Sequence, residues 1–332
     1  MRIIALEEHF AAPDLVARID RSAIASRYAV GGASGWSPVE ALIEVGAKRL
    51  ADMDEAGVAL QVISVNGPGA DLLDATEGPA MARAYNDRLK QLIDAHPDRF
   101  AGFAHLPMTA PEAAAYELER AVRELGFHGA LINGMTQDLF LDDERFEPIL
   151  ARAERLDAPI YLHPGLAPEV VRRTYYDALP GRAGFILSTA GWGWHAETAL
   201  HIVRLVLSGT LERHPRLKLV IGHMGEGIPA MLARFDGSMG AEAAKYLKRS
   251  ISRTILEQVW ITISGFYTLP PFLAALHTFG ADRILFSVDY PYSSNKAAVD
   301  FLEALPVSPR DREKIAFRNA ERLLRLDRSG GV

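Results

Sequence analysis

The chain contains no cysteine. That one absence excludes disulfides, thiolate nucleophiles, iron–sulfur clusters and zinc held by thiolates. No apolar run approaches the roughly twenty residues that a membrane-spanning helix needs. A block of basic residues is also missing, and the net charge is −6, so the electrostatic footprint of a nucleic-acid binder is absent. The apolar stretch at the N-terminus is interrupted by Glu7 and Glu8 and is far too short for a secretory signal. A cytoplasmic location is the expectation. Any metal must be held by histidine and carboxylate, a donor set that suits Zn, Mn, Fe or Mg-type chemistry.

Apolar residues are plentiful, at 49% of 332, so a large core can form. The length suits one α/β barrel with insertions. Short runs rich in β-branched residues alternate with helix-sized segments, which is the mark of a parallel sheet. The strand candidates are Arg2–Leu6, Leu60–Val65, Phe100–His105, Gly129–Ile132, Pro159–His163, Lys218–Gly222, Val259–Ser264 and Arg283–Ser287. Several are apolar at nearly every position, as strands buried on both faces should be. Ser37-Pro38-Val39-Glu40 reads as a capping box opening a helix that runs toward Gly57. Thr109-Ala110-Pro111-Glu112 reads as a second, with Gly126 closing its helix. Further helices are expected over Asn86–Ala95, Asp142–Leu156, Ala196–Ser208 and Ser308–Leu326.

Two stretches exceed a minimal barrel. One lies between His9 and Ser37. The other runs from Pro164 to about Trp194 and carries Tyr175, Tyr176, Phe185, Trp192 and Trp194. Both follow strand ends, so both belong to the catalytic face. The aromatic one is a substrate wall or lid, or equally a packing loop or oligomer contact. The expected fold is α/β, a (β/α)8 TIM barrel with insertions after strands 1 and 5, formed by residues 1–332 as a single domain.

Barrel enzymes place their chemistry at the C-terminal strand ends. Strand one ends in Glu7-Glu8-His9, where Glu7 and His9 share a face by the two-residue period. Strand five ends at His163, strand six at His223 and strand eight at Asp289. A lone histidine after a strand is more often structural, and an Asp before Tyr-Pro can simply begin a turn. Together these acids and histidines converge at the barrel mouth. His96, His201, His214 and His277 lie on helices or at their ends, where solvated or capping roles fit best. His128 lies in a turn. His105 ends strand three and His195 flanks the second insertion, and a structural role is the better reading for both.

At these residues the sequence resembles the amidohydrolase superfamily, in the branch of non-oxidative aromatic acid decarboxylases. That branch includes the γ-resorcylate, dihydroxybenzoate and 5-carboxyvanillate decarboxylases, related to aminocarboxymuconate-semialdehyde decarboxylase. The resemblance runs through Ala5-Leu6-Glu7-Glu8-His9-Phe10, His96-Pro97-Asp98-Arg99-Phe100, Ile132-Asn133-Gly134, Tyr161-Leu162-His163-Pro164, Gly222-His223-Met224-Gly225-Glu226 and Asp282-Arg283-Ile284-Leu285-Phe286. It implies that Glu7, His9, His163 and Asp289 bind one divalent ion, Zn or Mn. It also implies that His223 and Glu226 form a catalytic pair and that Arg234 and Asn133 contact substrate. The chain departs from the resorcylate decarboxylases at Gly165, where those resemble one another in carrying a charged residue.

The resemblance implies a reversible decarboxylase of a hydroxylated aromatic acid. Asp289 would protonate the ring carbon bearing the carboxylate. His223, oriented by Glu226, would bond the phenol oxygen, and Arg234 would pair with substrate negative charge. The expected partners are a small aromatic acid and further copies of the chain, as a homodimer or homotetramer. The alternative is a metal-dependent hydrolase of a lactone, amide or ester on the same barrel. A barrel that binds an aromatic ligand without turnover is a third reading.

Overall fold

In the computed structural model, the described residues are 1–21, 38–67 and 69–326. The strands are β1 (Ile4–Phe10), β2 (Leu60–Val65), β3 (Phe100–Gly102), β4 (Ala104–His105), β5 (Ala130–Asn133), β6 (Ile160–His163), β7 (Leu219–Ile221), β8 (Val259–Thr262) and β9 (Ile284–Leu285). All pair in parallel, in the orders β1-β2-β3 and β4 through β9. Phe103 joins β3 to β4 and donates its N–H to the Ile63 carbonyl, so the two are halves of one barrel strand. A parallel bridge between Leu6 and Ser287 brings the last strand against the first. The eight strands expected from the sequence therefore close into a barrel.

The strands are buried on both faces. Ile4, Leu6, Leu60, Val62, Phe103, Leu131, Tyr161, Val220 and Leu285 fill the barrel interior. Their alternate neighbours, such as Ala5, Ile63, Ile132, Leu162, Ile221 and Ile261, face the helix layer. The interior cluster also takes in Ala320, Leu323 and Leu324 from the C-terminal helix, which closes the bottom of the barrel. Truncating such a leucine to alanine costs about 2–5 kcal/mol.

The helices that follow these strands include α1 (Val39–Ile43), α2 (Ala47–Ala56), α3 (Gly78–Ala95), α4 (Pro111–Arg123), α5 (Glu147–Leu156), α6 (Gly193–Leu207), α7 (Ile228–Ala243), α8 (Ile251–Gln258), α9 (Leu269–Phe279), α10 (Asn295–Ala304), α11 (Pro309–Glu313) and α12 (Asn319–Leu324). Several departures from expectation have local causes. The helix expected from Ser37 to Gly57 is two helices. Gly46 opens the second, and the Glu44 carboxylate accepts from the N–H groups of Lys48 and Arg49 at 3.3 and 3.0 Å. Ser37 itself, with most of the first insertion, lies outside the described residues. Thr109 does not cap α4, because its hydroxyl donates to the Leu73 carbonyl instead, at 2.8 Å. The C-terminal helix is interrupted by a π turn over Lys314–Arg318, where the Ile315 carbonyl accepts from the Phe286 N–H at the end of the last barrel strand. No helix of the described residues is long and apolar enough to cross a membrane.

Candidate active site

The first strand carries a defect that builds the site. Ala5 pairs with Gln61, but the next pair is Glu8 with Ile63, so β1 holds one residue more than β2 over this span. Glu7 is the extra residue and has φ 65°, a β-bulge. Unbroken alternation from the interior residues Ile4 and Leu6 would turn Glu8 inward. The bulge shifts the phase, so Glu7 and His9 face the interior and Glu8 faces away. The Glu8 carboxylate then accepts from the backbone N–H groups of Val288 and Tyr290, on either side of Asp289.

Glu7 is fully buried and gripped on one side only. Its Oε2 accepts from the hydroxyls of Tyr161 and Ser264, and from Thr262 at 3.3 Å. Its Oε1 has no hydrogen-bond partner among the described residues. That oxygen faces Nε2 of His163 at 3.7 Å and Nε2 of His223 at 3.6 Å. Burial pushes the Glu7 carboxyl up from its ordinary range. At Gly222, an added Cβ would stand 3.0 Å from both Glu7 carboxylate oxygens, so glycine leaves the acid its room.

The other three groups are oriented from behind. His163 directs Nδ1 to the Pro164 carbonyl at 3.0 Å, which turns Nε2 toward Glu7. Burial, then the charge of His9, lowers the His163 ring to about 3, so at neutral pH the ring is uncharged. His9 places Nε2 3.2 Å from Oδ1 of Asp289, and Arg49 donates to the His9 carbonyl at 2.7 Å. Burial raises the Asp289 carboxyl, but bonds from His223 and His9 outweigh it and hold the group at about 2. Glu7, His9, His163 and Asp289 offer ligand atoms within 4.8 Å of one another. Two converging carboxylates, one with a bare buried oxygen, call for positive charge. Two imidazole nitrogens beside them make a donor set that fits one divalent ion.

The run His223-Met224-Gly225-Glu226-Gly227 supplies the neighbouring pair. All five residues have positive φ, from 50° to 80°, and so wind a left-handed turn. Gly225 and Gly227 adopt it without strain, whereas His223, Met224 and Glu226 each cost roughly 1–2 kcal/mol. The turn brings Nδ1 of His223 to 2.7 Å from Oε1 of Glu226. Burial works against charge on His223, but the Glu226 and Glu7 carboxylates outweigh it and raise the ring well above its ordinary value. Glu226 is also buried, yet the charge of His223 and bonds from His195 and His223 bring it down to about 2.

Other expectations fare differently. Asn133 ends β5 beside His163 in register, at the mouth. Arg234 lies on α7 beyond Glu226, exposed and without an ion pair among the described residues, so it is not gathered with the cluster. Its neighbour Asp236 accepts from Ser252. His195 reaches the site through Glu226, against the structural reading. His105 is structural and accepts from the Ala70 N–H. His201 and His214 are buried rather than solvated. The first accepts from the Leu141 N–H, and the second sits between Glu147 and Glu154. In the aromatic insertion, Tyr175 and Trp192 are exposed and Tyr176 is buried. Gly165 meets Gly134 backbone to backbone, where a Cβ would come within 2.8 Å, so the departure at that position is a packing requirement.

Some site residues escaped the sequence reading. Phe266 packs edge-on to His195 and His223, and Tyr292 packs against His9 while its hydroxyl bonds Asn66. The hydroxyls that hold Glu7 carried a signal: Thr262 and Ser264 are spaced for one face of the seventh barrel strand.

Comparison with known proteins agrees with this geometry. The chain is 37% identical over 336 residues to a γ-resorcylate decarboxylase of Polaromonas sp., covering 98% of this chain and 99% of the relative. A solved 2,6-dihydroxybenzoate decarboxylase in complex with 2,6-dihydroxybenzoate superposes with a TM-score of 0.87 at 36% identity, covering 98% and 99% of the two chains. A dihydroxybenzoic acid decarboxylase from Polaromonas sp., solved with manganese and 2-nitroresorcinol, gives 0.85 at 34% identity, covering 99% and 98%. The amidohydrolase family model matches residues 9–326. A parallel barrel with an acid-and-histidine mouth, matched over nearly its whole length, thus belongs to the amidohydrolase family.

Proposed function

We propose that this chain is a metal-dependent, non-oxidative and reversible decarboxylase of a hydroxylated aromatic carboxylic acid. The observation that carries the reading is the bare, buried Oε1 of Glu7, converging with His9, His163 and Asp289 beside the His223–Glu226 pair. The decarboxylase relatives and the manganese-bound neighbour support it. Glu7, His9, His163 and Asp289 would hold manganese or zinc. A divalent ion bound there polarises the phenolic and carboxylate oxygens of an ortho-hydroxy acid and orients its ring.

The remaining work falls to side chains. An aryl carboxylate loses CO2 only when the ring can accept the electrons of the breaking C–C bond. Protonating the ring carbon that bears the carboxylate creates that sink. Asp289 is the donor in this reading. In the arrangement described it is ionised, so its proton arrives from a neighbour. His223 is placed to supply it, with Nε2 4.0 Å from Oδ2 of Asp289. Glu226 holds the opposite nitrogen of His223 and fixes the ring. Phe266 and Tyr292 offer aromatic faces beside the cluster, and Asn133 offers an amide at the mouth. Arg234 stands exposed and outside the cluster; its proposed substrate contact would need a neighbouring copy in the homodimer or homotetramer. We take residues 1–332 as one domain and the location as cytoplasmic.

One observation favours hydrolysis of a lactone, amide or ester instead. An ionised Asp289 is ready to accept a proton from water. The deciding experiment supplies Mn or Zn and a panel of hydroxybenzoates that includes 2,6-dihydroxybenzoate. Release of CO2 with the matching phenol is expected, as is carboxylation of that phenol in bicarbonate. Acid release from lactones with no CO2 from any hydroxybenzoate would replace this reading with the hydrolase. Metal-free protein without turnover would leave a binding barrel.

A further inference from the structure

His195 lies outside the acid-and-histidine cluster, yet a hydrogen bond ties it to the His223–Glu226 pair. It occupies the first turn of α6, directly after the aromatic insertion. Its Nδ1 is 2.5 Å from Oε2 of Glu226, and its Nε2 is 3.0 Å from the Ala190 carbonyl. Both partners are oxygen acceptors, so both bonds form when each ring nitrogen carries a hydrogen. Glu226 is therefore held at both oxygens, by His195 on Oε2 and by His223 on Oε1. Phe266 packs edge-on to both rings, at 5.2 Å from His195 and 5.9 Å from His223. The three polar groups lie close enough to be mistaken for a second metal site. Their mutual hydrogen bonds already use both carboxylate oxygens and the Nδ1 atoms of both rings.

We propose that His195 is a positioning residue that clamps Glu226, and through it His223, so that the insertion after the fifth barrel strand sets the aim of the catalytic histidine. The inference rests on the reading that His223 serves the reaction. A carboxylate on a left-handed turn has no regular helix to fix its rotamer. With Oε2 released it is free to swing off His223 Nδ1, and the ring then loses its orientation. Such supporting contacts are worth roughly 10–100-fold in activity. The clamp aims a group that acts after substrate is bound, so its loss falls on kcat rather than KM.

The test compares His195→Phe with His195→Asn in manganese-loaded protein, using 2,6-dihydroxybenzoate. Phenylalanine keeps the ring packing and removes the bond. Asparagine places an amide N–H near the position of Nδ1. His195→Phe is expected to lower kcat about 10–100-fold with KM within about twofold, and His195→Asn to restore most of it. Glu226→Gln is expected to show a similar loss, and the double variant with His195→Phe little more than either alone. Crystal structures supply a readout independent of turnover: Glu226 should stay on His223 in the Asn variant and leave it in the Phe variant. Wild-type kcat in His195→Phe, or equal losses in Phe and Asn, overturns the clamp while a dead His223→Asn keeps the reading of the site. Full turnover in His223→Asn overturns that reading itself, and the clamp with it.

Discussion

Glu8 holds Asp289 from behind without joining its cluster: one carboxylate oxygen accepts from the N–H of Val288 at 2.9 Å and the other from that of Tyr290 at 3.0 Å. The peptide units on both sides of Asp289, which itself has φ 69°, are thereby pinned to the first strand. Glu8→Gln would set an amide N–H against one of those donors. We expect a loss of about 1–3 kcal/mol in stability and a fall in metal affinity of roughly 10–100-fold. Chemical denaturation and metal titration measure the two. An unchanged metal affinity would remove Glu8 from the support of the site.

Glu7→Gln and His163→Ala each remove a proposed ligand. Bound manganese or zinc, counted by elemental analysis, should drop well below one per chain in both variants. The thermal midpoint of the native protein should rise with added metal, and those of the variants should respond much less. At a free metal concentration a hundred times Kd the gain is about 2.7 kcal/mol. A full metal complement in either variant refutes that residue's assignment.

Asp289→Asn separates ligation from proton delivery. An amide oxygen can still face the cluster but cannot deliver the proton. Turnover should fall by a factor of at least about 100, with part of the metal retained. Full decarboxylation with metal bound would end the proton-donor role of Asp289 and leave the reaction itself standing.

Arg234→Met tests the proposed substrate contact of a residue that lies outside the cluster. KM for the aromatic acid should rise about two- to fivefold, the worth of an exposed ion pair, with kcat little changed. An unaltered KM takes Arg234 out of the site.

His201 gives a pH dependence far from the chemistry. Burial lowers its ring to about 3, and its Nε2 accepts from the Leu141 N–H at 2.7 Å. The unfolded chain takes up a proton near the ordinary value of 6.5, whereas the folded chain does not. This histidine's contribution is therefore constant above pH 6.5, and stability falls as pH drops from 6.5 toward 3. His201→Leu strands the Leu141 N–H and should cost about 1–3 kcal/mol at neutral pH, while flattening the acid-side slope. Denaturation curves across pH 4–8 show both effects, and an unflattened slope would assign the acid sensitivity elsewhere.

The barrel was legible because its strands are apolar on both faces and end in polar residues, as at Tyr161-Leu162-His163. Gly57 was legible too, as the left-handed residue that ends α2. The capping box at Thr109 was not, because its hydroxyl bonds Leu73, a partner 36 positions away that lies beside it only after folding. Glu7 was correctly paired with His9 by their two-residue spacing, although the bulge that turns both inward leaves no mark in the sequence. His195 was undervalued because its partner stands 31 positions away on a left-handed turn. Arg234 was read from a motif alone, and it stands exposed on α7, apart from the cluster.

The C-terminal helix gives the barrel a floor. Leu323 and Leu324 cap an interior already filled by Phe103, Tyr161 and Leu285, so the described residues leave the axis packed. On the proposed reading, substrate, phenol and carbon dioxide would therefore share the mouth at the opposite end. A carboxylase built on this scaffold would have to admit both of its reactants through that same mouth.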